Sequence, residues 1–224
     1  QGMHGAHNSA YELIDTTLNV CIDSDDYMPD DAVEKILKFW EENQSEEIAG
    51  IAALDAYESG EVIGTTFPKD LKTSTSFDMY YKHGVCGDKK FIYKTELTKK
   101  FPYPIFEGEK YVGLAYKYRK IDLTHKLALM NEVCIVEYME DGSSRNMLKQ
   151  YINNPKGFIF YRKENMKNPN GNLKYKFKEC VHYVSSNFII KNRKFIKESP
   201  LRLLTVLATP AGFCLYKYIT KKTR

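Results

Sequence analysis

A chain of 224 residues can bury a sizeable core, and its 43% hydrophobic and 28% charged residues are typical of a soluble globular protein. The five cysteines are odd in number, widely spaced and without a C-x-x-C pair, which argues against a zinc ribbon or a disulfide framework and favours a reduced setting. The chain opens on Gln1 and no signal peptide precedes the first motif, so we expect that its natural N-terminus is missing.

The net charge of +4 conceals a division of the chain. Residues 1–150 carry a net charge of −9, whereas residues 151–224 carry +13. This asymmetry predicts two parts with different partners, the second facing something anionic. Nucleic acid and an acidic membrane leaflet both satisfy that requirement.

Helical and strand-like patterns alternate at the start of the chain. Residues 5–15 have helical spacing, and residues 18–22 (LNVCI) form a short apolar stretch that predicts a buried strand. A helix is predicted from Pro29, with apolar residues at helical spacing up to Trp40, and residues 47–57 predict a second apolar strand. This order predicts a mostly parallel sheet with flanking helices.

The remaining elements are predicted from shorter patterns. We expect strands at residues 76–82, 89–94 and 132–139, and helices from Thr95 to Phe101 and over residues 108–120. Beyond them the basic region reads as a series of helices broken by prolines and by the NPNGN segment. The predicted organisation is an α/β domain over residues 1–150 followed by a helical region over residues 151–224.

The most unusual feature is an acidic segment, with five aspartates between residues 23 and 31 directly after the first predicted strand. Counted as a calcium loop from Asp23, it has Met28 at the position where the sharp turn requires glycine. An acidic helix start explains Asp30 and Asp31, because carboxylates there interact favourably with the helix dipole. Asp23, Asp25 and Asp26 instead follow the carboxyl end of a strand, where ligands bind in open α/β sheets. Mg²⁺ or Mn²⁺ would offset their mutual repulsion and hold ligand phosphates.

Two segments resemble a known family. Residues 6–36 (AHNSAYELIDTTLNVCIDSDDYMPDDAVEKI) are similar to the region around the D-x-D motif of family 2 glycosyltransferases, which have the GT-A fold. Residues 87–112 (GDKKFIYKTELTKKFPYPIFEGEKYV) are similar to the acceptor and catalytic-base region of bacterial members that build surface polysaccharides. The nucleoside-binding half with which members begin is absent, so this stretch alone is expected to be inactive.

The resemblance implies roles for individual residues. Asp25 and Asp23 would hold the metal, Mn²⁺ or Mg²⁺, that binds the diphosphate of a nucleotide-sugar, most simply a UDP-sugar. Asp23, Ser24, His7 and Asn8 would contact the donor, and Asp88 would contact the acceptor. Where members commonly carry Glu-Asp, this chain has Glu109-Lys110, so Glu109 is the expected general base and Glu107 its substitute.

The resemblance implies metal-dependent, inverting transfer of the sugar to a saccharide or lipid-linked acceptor. The competing hypothesis is a non-catalytic binding or scaffold protein whose basic tail meets an anionic membrane or nucleic acid. No RRM, KH or helix-turn-helix pattern is present in the sequence, so we expect no nucleic-acid partner.

The end of the chain contains 14 uncharged residues, Leu203–Tyr216, flanked by Arg202 and Lys217. This stretch is too short to span a bilayer. We expect this region to rest on the inner face of the cell membrane, with a core helix as the alternative. The reduced cysteines make the cytoplasm the expected location.

Overall fold

A computed structural model describes residues 2–137 and 147–223. The described strands are β1 Leu18–Val20, β2 Asp26–Tyr27, β3 Ile48–Tyr57, β4 Thr73–Ser74, β5 Lys89–Lys94 and β6 Lys126–Glu137. The described helices are α1 Gly2–Leu13, α2 Ala32–Asn43, α3 Ser76–Tyr81, α4 Thr95–Lys100, α5 Ala115–Ile121, α6 Met147–Asn153, α7 Pro155–Met166, α8 Leu173–Ile189, α9 Phe195–Glu198 and α10 Arg202–Lys222.

The chain forms two compact units. The described part of the sheet unit comprises residues 11–101 and 118–137, and that of the helical unit comprises residues 2–10, 102–117 and 147–223. Each unit is therefore assembled from segments that are distant in sequence.

The sheet unit contains a mixed sheet, which differs from the mostly parallel sheet that the sequence predicts. Its strand order is β1-β5-β3-β6-β2, with β4 also paired to β6. Among the described strands, only β3 and β6 pair in parallel. The predicted alternation of helix and strand is present, but β5 inserts antiparallel between β1 and β3 and separates them.

Strand β3 lies at the centre of this sheet and is buried along nearly its whole length. On one face, Ile36 and Trp40 of the amphipathic helix α2 pack against Ile51 and Ala53 of β3. On the other face, Leu54 belongs to a second apolar cluster. Burial on both faces explains why β3 reads as a continuous apolar run rather than an alternating one.

One predicted strand is a helix in the structure. Residues 76–82 are predicted to form a strand, but Ser76–Tyr81 is a helix. Thr75 caps that helix by accepting the N–H of Asp78, and the Asp122 carboxylate accepts the N–H groups of Ser76 and Phe77. The satisfied donors at this helix start favour a helix over a strand.

The helix expected over residues 108–120 is present only as Ala115–Ile121. Gly108 has a positive φ of 78°, and the N–H of Lys110 donates to the Asn154 side chain rather than to a preceding helical turn. The strand predicted over residues 132–139 begins earlier, at Lys126, and residues 138–139 lie outside the described part of the chain.

The helical unit is built around α7, α8 and α10, which pack against one another in two pairs, α7 with α8 and α8 with α10. Gly212 permits the second contact, since a Cβ atom there would lie 2.5 Å from Val184. The predicted series of helices in the basic region is confirmed for the described residues.

Candidate functional site

The acidic segment lies at one edge of the sheet. β1 and β2 are at opposite ends of the strand order, so the intervening residues 21–25 pass the edge at which β3 and β6 end. The N–H of Asp26 donates to the carbonyl of Asp23 over 3.0 Å and closes a turn. Asp23, Ser24 and Asp25 are exposed on that turn, which makes them accessible to a ligand.

Asp88 lies at the same edge, because it directly precedes β5 and β5 runs antiparallel to β1. The adjacent Lys89 is buried, and its Nζ atom donates to the carbonyls of Ile63, Cys86 and Asp88 at 2.8, 3.0 and 3.0 Å. These bonds fix the backbone of the turn, while the Asp88 side chain stays exposed. Asp88, which is predicted to contact the acceptor molecule, therefore lies at the sheet edge that carries Asp23 and Asp25.

A further carboxylate at this edge was missed by the sequence analysis. Asp55 lies near the carboxyl end of β3 and is 1% exposed. Asp55 and Asp88 both act electrostatically on Tyr80. Burial raises the pKa of Tyr80, and the negative charges of Asp88 and Asp55 raise it further. Asp55 could have been noticed as the one acidic residue inside the apolar run IAALDAY.

A divalent ion at the acidic turn would need ligands from a bound phosphate and from water in addition to carboxylates. Over residues 2–137 and 147–223, no three His, Cys, Asp or Glu side chains are grouped so that they could hold a metal by themselves. Mg²⁺ is commonly held by one or two carboxylates together with substrate phosphates and water. Asp23 and Asp25 can supply such a pair of oxygen ligands.

In the helical unit, Asn8 and His7 lie on α1 beside the segment 102–114. The Asn8 side chain donates to the carbonyl of Tyr103 and accepts the Tyr103 N–H, both at 2.8 Å. The His7 ring meets the Tyr103 ring edge-on, with centroids 6.1 Å apart. Asn8 therefore attaches α1 to this segment, and the donor contacts of His7 and Asn8 stay predictions.

Glu109 caps the start of α7. Its Oε1 accepts the N–H of Lys156 at 2.9 Å, and its Oε2 accepts the N–H of Gly157 at 2.7 Å. Asn154, the residue at the N-cap position, makes no capping bond with its own side chain. Glu109 thus satisfies two of the donors that a helix start leaves without partners, and its negative charge lies at the positive end of the helix dipole.

Glu107 has a different environment from Glu109, although both lie on the same segment. Its side chain is exposed, whereas Glu109 is 9% exposed. Glu107 is therefore more accessible to a reacting molecule than Glu109.

Lys117, like Glu109, is a buried ionisable residue of the helical unit. The sequence analysis did not select it. It is 1% exposed, and its Nζ atom lies 4.9 Å from the centre of the Tyr103 ring. Burial lowers the pKa of Lys117 from 10.5 to about 8.

A cleft of about 400 Å³ lies in the sheet unit at the opposite edge from the acidic segment. Residues 14–17, which precede β1, and Lys94 and Thr95 at the end of β5 contribute to its lining. The predicted site residues do not line this cleft.

No protein-family model matches the chain, and no curated protein matches it in sequence. The fold is similar to that in a crystal structure of S. aureus TarS, residues 1–349, in complex with UDP-GlcNAc. The TM-score is 0.54 and the sequence identity 15%, and the likeness covers 97% of this chain and 70% of that chain. At this identity the likeness shows a shared mixed α/β fold.

Proposed function

We propose that the protein is a glycosyltransferase of the family 2 type that transfers a sugar from a nucleotide-sugar, most simply a UDP-sugar, to a saccharide or lipid-linked acceptor. The observation that carries this proposal is the exposed acidic turn at the edge where β3 and β6 end, within a fold similar to that of a UDP-GlcNAc complex. That edge is where α/β sheets bind ligands.

In the proposed reaction, an acceptor hydroxyl attacks the anomeric carbon of the donor sugar and the bond from that carbon to the diphosphate breaks. The nucleoside diphosphate leaves with the bonding electrons, the acceptor proton passes to a carboxylate, and attack from the opposite face inverts the anomeric centre. Two problems must therefore be solved, namely the charge on the leaving diphosphate and the position of the base.

For the diphosphate, we assign Asp25 and Asp23 to a Mn²⁺ or Mg²⁺ ion. Such an ion, when bound, supplies positive charge to the phosphate oxygens. Asp23 and Ser24 are also assigned to the donor, because both are exposed on the same turn as Asp25. Asp88, exposed in the turn before β5, is assigned to an acceptor hydroxyl.

For the proton, the candidates are Glu109 and Glu107. Each oxygen of Glu109 accepts a backbone N–H, which supports a role in holding its segment against α7. Glu107 is exposed and lies two residues away, which supports it as the carboxylate that takes the proton. A positioned general base typically contributes about 10²–10⁴-fold to the rate.

The test is a panel of nucleotide-sugars added to the full-length protein with and without Mn²⁺, read as a thermal shift and as release of nucleoside diphosphate. We expect one donor class to raise the melting temperature only when the metal is present. Absence of any nucleotide response, together with salt-sensitive RNA binding, would overturn the proposal in favour of a binding or scaffold protein.

A further inference from the structure

Helix α10 has an apolar outer face that the helical unit does not cover. Exposed apolar side chains recur along the helix at intervals of three or four residues, and Leu203 and Leu207 are 85% and 70% exposed. The members of this outer face are Leu203, Val206, Leu207, Pro210, Phe213, Cys214 and Tyr218. The opposite side of α10 carries its buried residues, Thr205, Ala208, Gly212 and Ile219.

Basic residues lie at both ends of the outer face. Arg202 precedes it, Lys217 lies within its last turns, and Lys221 and Lys222 follow it, all exposed. Helix α10 contains no acidic residue. At its N-terminal end α10 contacts the short helix α9, on which Lys197 is exposed. The acidic residue of α9, Glu198, forms an ion pair with Lys163, whose Nζ atom lies 3.8 Å from the Glu198 Oε2.

We propose that the outer face of α10 docks on an anionic lipid bilayer, with the helix lying in the plane of the membrane surface. The apolar side chains would enter the boundary between headgroups and acyl chains, and the basic side chains would remain among the anionic headgroups. Both contributions are those of interfacial amphipathic helices.

A spanning helix fits the structure less well than an in-plane helix. By length and composition, Arg202–Lys222 is the one helix of the described residues that could cross a membrane, with a mean hydropathy of 1.2. Its uncharged part, Leu203–Tyr216, rises only about 21 Å, against about 30 Å of hydrocarbon. Its inner side is also committed to the protein, since Gly212 packs on Val184 and the Thr205 hydroxyl lies 2.6 Å from that of Ser199.

The distribution of charge also favours a lipid surface over two other candidate partners, a second copy of the chain and nucleic acid. Two copies of α10 pairing through their outer faces would bring basic ends together without any acidic residue of α10 to offset them. Nucleic acid would need basic or hydrogen-bonding side chains across the contact to meet its phosphates, whereas the centre of the outer face is apolar. An anionic bilayer offers acyl chains to the centre and phosphates to both ends.

The first test measures co-sedimentation of the protein with vesicles of phosphatidylcholine alone or mixed with phosphatidylglycerol. We expect binding to the mixed vesicles, weakened by salt and by Leu207→Glu, which should lower the partition coefficient by about tenfold or more. Lys221→Gln and Lys222→Gln should each lower it about fivefold. Leu123→Glu, at a 55% exposed leucine of the sheet unit, is the matched control and should leave binding unchanged.

The second test reports directly on the outer face. An environment-sensitive fluorophore on the exposed Cys214, with the exposed Cys21 and Cys86 replaced by serine, should brighten on mixed vesicles and not on neutral ones. Four results would overturn the proposal: no vesicle binding, equal loss with Leu123→Glu and Leu207→Glu, brightening caused by self-association without lipid, or brightening on RNA. Circular dichroism of each variant confirms that the helices are retained.

Discussion

The carboxylate of Glu109 accepts the N–H of Gly157 at 2.7 Å and thereby joins the segment 102–114 to the start of α7, 48 residues later in the chain. A second bond, from the N–H of Lys156, occupies its other oxygen. Glu109→Gln removes the charge and replaces one accepting oxygen by an amide nitrogen that cannot accept. We expect the free energy of unfolding to fall by about 1–2 kcal/mol, measured by urea denaturation. Glu107→Gln, at an exposed side chain, should change it by no more than about 0.5 kcal/mol.

The same two variants separate the candidate bases by their turnover. If Glu107 takes the proton, Glu107→Gln should lower kcat by roughly 10²–10⁴-fold while donor affinity stays nearly constant, because only the proton transfer is lost. Glu109→Gln should then keep most of its turnover at a temperature where it remains folded. The reverse pattern would assign the base to Glu109.

The metal proposal is tested by Asp25→Asn. A neutral amide cannot balance the charge of a divalent ion, so donor affinity and metal affinity should fall together. Changing a residue that only supports a metal ligand typically lowers metal affinity by roughly 10–100-fold. Because Asp25 is assigned as a ligand itself, we expect the metal affinity to fall at least that far. Isothermal titration with UDP and Mn²⁺ measures both affinities. Asp30→Asn, at an exposed aspartate nearer to α2, is the control, and an equal loss there would indicate a general charge effect.

Lys117 should make stability depend on alkaline pH. Because burial lowers its pKa from 10.5 to about 8, the unfolded chain binds one more proton than the folded chain between these values. The free energy of unfolding should therefore rise as pH increases from about 8 towards 10, and the charged lysine should cost stability below that window. Denaturation of the wild type and of Lys117→Met across this range measures the effect. A wild-type slope equal to that of the variant would contradict it.

His182 should make stability depend on acidic pH. Burial lowers the pKa of this histidine from 6.5 to about 3, and its Nδ1 atom lies 2.9 Å from the Tyr151 hydroxyl. The unfolded chain binds the extra proton between these values, so stability is fully present above pH 6.5 and is lost progressively as the pH falls towards 3. His182→Gln removes the titrating imidazole, so the free energy of unfolding of the variant should fall less steeply with decreasing pH than that of the wild type. Parallel wild-type and variant curves between about pH 7 and 4.5 would refute the assignment.

The sequence alone determined the elements whose patterns are local. Helix α2 follows from its apolar periodicity, β3 follows from its apolar run, and β5 follows from the strand-forming residues Phe91, Ile92 and Tyr93. The sequence itself shows that the acidic segment comes directly after a predicted strand. These features depend on residues a few positions apart, so neighbouring side chains are sufficient to specify them.

Only the tertiary structure decided which strands are neighbours and where each acidic residue lies. The antiparallel insertion of β5 between β1 and β3 joins residues that are tens of positions apart, and local periodicity carries no information about such pairing. Asp55 and Asp88 reach the edge of Asp23 through this strand order, and Glu109 meets α7 through a contact between distant segments. A carboxylate acquires its role from burial and hydrogen-bond partners, and both arise only when distant parts of the chain pack together.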